Sequence, residues 1–266
     1  MDEQLQEGIE ALRRAVSHMK RGVFFGGAGV STESGIPDFR SQDGLYRQKY
    51  KYPPETILSR TFFDRHTEEF FDFYRNKMLC LSARPNTAHK KLAQWEEEGK
   101  LAAVVTQNID GLHQRAGSRR VFELHGSVLR NFCMACGKSY PVSFVAEAEG
   151  IPRCSCGGIV KPDVVLYEEP LDGATLEEAV RAIRAADVLI VGGTSLNVYP
   201  AAGLIDYFEG DSLIVVNRGA PARAVPGCLL IDGKIGEVFR ALWAAHRGGP
   251  PAIFLMGGGP CKYPPF

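Results

Sequence analysis

Short apolar runs alternate along this chain with longer segments whose apolar residues recur every three or four positions. Val23-Phe24-Phe25 ends in glycines and reads as a buried strand feeding a tight turn. Similar runs return at Ala102–Thr106, Val121–Leu124, Val188–Val191 and Leu213–Val216. Leu5, Ile9, Leu12 and Met19 recur near helical spacing among Glu, Arg and Lys, which predicts an amphipathic first helix. Leu176–Ala186 follows Asp172 and carries paired charges. Tyr199–Phe208 opens with Pro200 in its first turn, where a missing N–H is harmless. Ile235–His246 is the last helical segment.

Strands alternating with helices predict an α/β fold, a Rossmann-like doubly wound parallel sheet. Two stretches break the rhythm. Tyr46–Ala83 is aromatic and charged, with Phe62, Phe63, Phe70, Phe71, Phe73 and Tyr74, and reads as helical. Asn131–Lys161 holds four cysteines and short strand-like pieces. Both are expected to form a smaller inserted domain, a helical module plus a zinc-binding module. The expected division is 1–40, 86–127 and 162–247 for the large domain, and 41–85 and 128–161 for the two inserts. The Gly/Pro-rich tail, 248–266, is expected to be disordered; its apolar run Ala252–Met256 is a candidate contact for a partner.

The 266 residues suffice for one large domain with an insert, and 45% apolar content supports a packed core. Lys+Arg and Asp+Glu balance at 31 each, so no net basic field favours nucleic acid, and no specific nucleic-acid partner is expected. Met1–Gln6 is polar and acidic, without a signal-peptide core, and no apolar stretch is long enough to span a membrane. Seven cysteines in such a chain predict thiols or metal ligands rather than a disulfide frame, and a cytoplasmic protein.

Four places carry candidate chemistry. The run Gly26-Gly27-Ala28-Gly29-Val30-Ser31 follows a strand, and glycines there let backbone N–H groups approach a pyrophosphate. A third glycine in the usual spacing would fall at Thr32, so a plain tight turn is the competing reading. The following Ser34–Arg40 reads as a lid or as a capped loop. Ala102–Val105 leads into Thr106-Gln107-Asn108-Ile109-Asp110, where side chains at the carboxyl end of a parallel strand meet the ligand crevice; a helix cap explains one such polar residue more easily than three. Val121–Leu124 ends in His125-Gly126, and a histidine there can act as a general base or serve a structural role. Cys133-x-x-Cys136 and Cys154-x-Cys156, seventeen residues apart, can surround one structural Zn2+. The single spacer in the second pair is tighter than usual.

Together these pieces resemble the sirtuin family of NAD+-dependent protein deacylases, of bacterial type. The matching blocks are Gly27–Ser31 through Ser34–Arg40, Thr106–His113, His125-Gly126, the four cysteines, Lys161–Val165, Gly193–Leu196 with Val198 and Pro200, and Asn217. The resemblance implies NAD+ as a consumed co-substrate. Gly27, Ala28, Gly29, Ser31, Asp38, Phe39 and Arg40 would line its site, with Gln107, Asn108, Ile109 and Asp110 on the ribose and nicotinamide, and Gly193, Thr194, Ser195 and Asn217 on phosphate and adenosine. His125 would be the general base and Asn108 its catalytic partner. Acylated-lysine protein substrates would lie in a slot between Val165–Glu169 and Ser195–Tyr199, both expected to be extended, with Val165, Leu166, Tyr167, Asn197 and Val198 as the contacting residues. Products would be free lysine, nicotinamide and O-acyl-ADP-ribose.

Two departures bear on substrate choice. The family's common Phe-Gly-Glu is Tyr167-Glu168-Glu169 here, and the added carboxylate is expected to favour basic residues near the target lysine. Members that prefer succinyl-lysine carry Tyr-x-x-Arg; this chain has Tyr74-Arg-Asn-Lys77, and lysine lacks the bidentate fork. Acetyl-lysine is therefore the expected substrate. Competing readings are a deacylase for other acyl groups, a protein ADP-ribosyltransferase and a non-catalytic NAD-sensing module. A hydride-transferring dehydrogenase lacks the third glycine and a clear acidic ribose partner.

Overall fold

The computed structural model describes residues 3–38, 50–219 and 225–243. Phe39, Arg40 and the tail at 248–266 lie outside the described residues. The strands are β1 (Gly22–Gly26), β2 (Leu101–Thr106), β3 (Val121–Glu123), β4 (Gly126–Cys133), β5 (Ser139–Pro141), β6 (Val160–Val164), β7 (Val188–Gly192), β8 (Ser212–Asn217) and β9 (Leu229–Asp232). The helices are α1 (Glu3–His18), α2 (Pro54–Ile57), α3 (Arg60–Arg65), α4 (Thr67–Phe73), α5 (Thr87–Glu97), α6 (Leu112–Ala116), α7 (Val142–Ala146), α8 (Gly173–Arg184) and α9 (Ile235–Trp243).

Six strands form one parallel sheet in the order β3-β2-β1-β7-β8-β9. Its strands are apolar at successive positions because both faces are covered. Phe24, Val104, Ile190 and Val216 point to one side, into a core with Ile9 and Leu12 of α1, Leu92 and Trp95 of α5, and Phe239 of α9. Their neighbours Val23, Phe25, Val105, Leu189, Val191 and Val215 point to the other, against Ala179 and Ile183 of α8 and Leu204 and Ile205. The sheet is thus Rossmann-like and doubly wound, with the period-two alternation sorting each strand's residues between two cores. Asp187 pins the start of its centre: its carboxylate accepts from the N–H groups of Lys20 and Arg21 at 2.8 and 3.0 Å, just before β1 and β7 pair.

The smaller unit is inserted. Its three-stranded antiparallel sheet has the order β5-β4-β6. The phenylalanines of α3 and α4 pack edge to face, Phe63 on Phe70 at 4.9 Å and Phe70 on Phe71 at 5.4 Å, as their ring quadrupoles favour. They share one core with Val128, Val145, Val160 and Leu166, so the helical and cysteine-bearing inserts are packed together.

Three local features differ from the sequence expectations. Tyr199–Phe208 folds as a 3-10 helix over Ala201–Tyr207. The α5 helix was not expected; Asn86 caps it in a box closed by His89, where a Glu or Gln is the usual signal. Strand β9 was also unexpected, although its run Leu229–Ile231 is as long as the apolar run of β1.

Candidate active site

In this strand order β1 and β7 flank the point where the chain's winding reverses, the place at which doubly wound sheets bind ligands. A cavity of about 950 Å³ opens there, at the carboxyl ends of the strands.

The glycine turn after β1 forms its floor. Gly27 donates its N–H to the carbonyl of Gly192 at 3.2 Å, and Gly29 to that of Gly193 at 2.8 Å. Gly193 has φ 59°, and a Cβ on it would lie 2.4 Å from the Val30 nitrogen. These glycines therefore let two loops touch backbone to backbone. The chain continues as two 3-10 turns, Ala28–Val30 and Thr32–Ser34, instead of entering an α-helix. A third glycine serves close packing of such a helix on its strand, and here there is no such helix to pack. Glu33, in the second turn, accepts the N–H of Gly236 at 2.7 Å and so ties this loop to the start of α9.

The ends of β2 and β3 supply the polar wall. Asn108 Nδ2 donates to Ser31 Oγ at 3.0 Å, and Ser31 Oγ donates to Asp110 Oδ2 at 2.7 Å. Asp110 also accepts the N–H of Leu112 at 2.8 Å. Burial raises the Asp110 pKa, and the bonds from Ser31 and Leu112 oppose that rise. Gln107 Nε2 donates to Thr194 Oγ1 at 3.3 Å, joining the β2 end to the β7 end. His125 Nδ1 lies 2.9 Å from the Gln107 carbonyl oxygen. A carbonyl only accepts, so Nδ1 carries the proton and Nε2 keeps its lone pair. Burial, the larger influence, lowers the His125 pKa, while the Gln107 bond raises it.

Most of the residues singled out in the sequence come together on this cavity. Ala28, Gly29, Ser31, Asp38, Gln107, Asn108, Ile109, Asp110 and His125 line it, with Gly193, Thr194 and Ser195 after β7 and Asn217 at the end of β8. Gly27 packs beneath Thr194 instead; a Cβ there would lie 2.9 Å from that side chain. On the facing wall stand Val165, Leu166, Tyr167, Val198 and Lys77. Tyr167 bridges to Ser59, but neither expected segment stays extended throughout: Glu168 takes φ 76° and turns the chain within 165–169, and Leu196 takes φ 56° and turns it within 195–199. Asn197 is exposed on that bend, away from the cavity lining. Tyr74 is fully buried, stacked on Phe70 at 5.7 Å, and is not part of the lining. Lys77 sits 5.7 Å from the Tyr50 ring. Arg218, Gly233, Lys234 and Ile235 extend the cavity toward α9. The sequence signal for them is the run Leu229–Ile231 broken by Asp232-Gly233.

The four cysteine sulfurs, Cys133, Cys136, Cys154 and Cys156, all lie within 4.8 Å of one another. Tetrahedral Zn–S bonds of about 2.3 Å place sulfurs roughly 3.8 Å apart. The 3.5 Å and 3.6 Å separations of Cys133 from Cys156 and Cys136 from Cys154 fit that ion. The single-spacer pair thus delivers both sulfurs to the cluster. The backbone N–H of Cys156, and then the Tyr140 hydroxyl 3.0 Å away, lower the pKa of the Cys154 thiol, while at Cys156 the Gly158 N–H is outweighed by the Cys133, Cys154 and Cys136 sulfurs, which raise the pKa; a cation among the four would favour the thiolate at each. The cysteines fit a structural zinc site, separate from the cavity.

A polar crevice holding a histidine, at the switch point of a doubly wound sheet, is where folds of this class bind nucleotides. Residues 27–200 match the model of the Sir2 family. A protein from Clostridium acetobutylicum named NAD-dependent protein deacetylase is 58% identical over 242 residues, covering 90% of this chain and 99% of its own length. One of the same name from Clostridium perfringens is 54% identical, covering 88% and 98%. A solved Sir2 bound to p53 peptide and NAD+ superposes with a TM-score of 0.78 at 37% identity, and one with deacetylated p53 peptide and 3′-O-acetyl-ADP-ribose with 0.81 at 36%; each covers 89% of this chain and 97% of its own. The chain belongs to the Sir2 family.

Proposed function

We infer that this protein is an NAD+-dependent protein-lysine deacetylase. It acts on acetylated-lysine proteins and releases free lysine, nicotinamide and O-acetyl-ADP-ribose, with one water consumed. The observation that carries this is His125: its Nδ1 is fixed on the Gln107 carbonyl, in a cavity whose opposite wall is the segment Val165–Tyr167.

NAD+ supplies the ribose carbon that loses nicotinamide and the hydroxyl that receives the acetyl group. The chain's own residues prepare that event. Ser31, Asn108 and Asp110 form one buried network whose polar atoms orient the ribose end. His125 Nε2, neutral because burial disfavours the imidazolium, takes the proton from a ribose hydroxyl. Ile36, Ile109 and Val198 on the wall keep the site dry, which strengthens these polar interactions. The zinc site holds the smaller unit and takes no part in proton transfer. No helix among the described residues is long and apolar enough to cross a membrane. The reading places the reaction in the cytoplasm, whose reducing conditions keep zinc-binding thiolates available.

The test is mass spectrometry of an acetylated peptide with and without NAD+, on the wild type and on His125→Ala. Deacetylation that requires both NAD+ and His125 is expected, with nicotinamide released only when acetylated peptide is present. Nicotinamide release independent of the acyl group would indicate ADP-ribosyl transfer instead. A second reading, removal of acidic acyl groups, has Lys77 on the cavity wall in its favour, and a succinylated peptide in the same assay decides it.

A further inference from the structure

Between β6 and α8 the chain makes a tight turn. Glu169 donates its N–H to the carbonyl of Leu166 at 3.0 Å, and the third residue of the turn, Glu168, has φ 76°. Glycine takes that conformation freely, while a residue with a Cβ enters it against steric resistance. Here a glutamate holds the position, and its carboxylate is not idle. Glu168 Oε2 accepts both the N–H and the hydroxyl of Thr61, in the first turn of α3, at 2.8 and 2.7 Å.

Glu169 makes the complementary attachment. Its Oε2 accepts the N–H of Leu166 at 2.8 Å and lies 3.2 Å from Lys161 Nζ, while its Oε1 lies 3.2 Å from Arg60 Nη1. Lys161 is only 7% exposed and also donates to the carbonyls of Pro162 and Val164. The backbone adds two bonds: Tyr167 N–H to the Leu58 carbonyl and Arg60 N–H to the Tyr167 carbonyl, both 2.9 Å. The cavity-lining segment Val165–Tyr167 is therefore suspended between β6 on one side and the helical module on the other.

We propose that Glu168 and Glu169 are positioning residues that set affinity for the acetylated peptide. They lock the Val165–Tyr167 backbone in its binding conformation before substrate arrives, so less ordering remains to be done on binding. Glu168 acts through Thr61 and does not read the charge of the substrate. The proposal rests on the deacetylase reading of the same cavity.

The test compares wild type with Glu168→Ala, Thr61→Val, Thr61→Ser and Glu169→Gln. Turnover is measured against acetylated peptides with acidic or basic flanks, and hydrogen exchange over residues 165–169. Glu168→Ala is expected to raise the peptide KM about tenfold, and Thr61→Val and Glu169→Gln to raise it as well, for both peptides alike, with the KM for NAD+ unchanged; the melting temperature is expected to hold in the two variants of the exposed Glu168–Thr61 contact. Thr61→Ser should retain wild-type behaviour, and Glu168→Ala combined with Thr61→Val should cost no more than Glu168→Ala alone. Thr61 is exposed, so its variants test the idea even if Glu169→Gln, beside buried Lys161, folds poorly. An unchanged peptide KM overturns the proposal. So does a parallel rise in both KM values, or a Glu168→Ala effect confined to basic peptides. A wild type inert on every acetylated peptide refutes the deacetylase reading alone; exchange at 165–169 then decides the clamp, and exchange no faster in the variants overturns it.

Discussion

His125 shows how one side chain is tuned by its surroundings. Unperturbed histidine titrates near about 6.5. Burial pulls His125 below that value, more strongly than the Gln107 carbonyl pulls it back. A base must be unprotonated to work, so activity is complete above its pKa and falls as pH drops through it. The acid limb of kcat/KM for the acetylated peptide is therefore expected below pH 6.5, read from a pH–rate profile; a limb above that value would contradict the assignment. The polar residues at the ends of β2 and β3 were legible in the sequence, because a short apolar run fixes where a parallel strand stops, and the residues just beyond its end face the crevice. Other residues were not. Tyr74 lies in a π-helical turn, Tyr74–Met78, and no spacing rule predicts that its ring points inward. The role of Gly27 and Gly29 depends on Gly193, a contact partner far along the chain.

At the level of elements, the cysteine cluster closes the open end of the paired strands β4 and β6. Cys133 ends β4, Cys154 precedes β6, and both are buried in the core that also contains Leu166. Metal removal should therefore loosen the peptide wall through that shared core. Chelation is expected to release one zinc per chain, followed by a colorimetric metal indicator, and to lower peptide turnover at least about tenfold. Restored zinc should restore turnover. Elements with strong periodicity or long apolar runs were readable, including α1, α8 and the four longer strands of the large sheet. The α5 helix escaped notice because its buried face includes His89 and Lys91 beside Ala88, Leu92 and Trp95. Their burial comes from tertiary packing, which local polarity conceals.

For the whole molecule, the pH range of stability is set partly by a buried pair of imidazoles. His89 and His113 lie 4.7 Å apart, and neither nitrogen of His113 has a hydrogen-bond partner among the described residues. Burial pushes the His113 pKa down to about 4, and burial followed by the neighbouring His113 pushes His89 well below its ordinary value. The unfolded chain binds protons at these sites near about pH 6.5, where the folded chain does not. Stability should thus be full above that pH and decline as pH falls toward 4, by on the order of 3 kcal/mol for His113. Urea midpoints between pH 7 and 4 measure this, and His113→Phe should flatten the slope. The order of the large sheet also bears on how the chain is made. β1 precedes the other strands of this sheet in the chain, yet it sits in the middle, and its partner β7 begins only at Val188. Until that strand has left the ribosome, one edge of Val23-Phe24-Phe25 has nothing to pair with, and such an apolar edge recruits other chains. A fragment ending before β7 is therefore expected to precipitate, read from its sedimentation, rather than persist as a smaller enzyme.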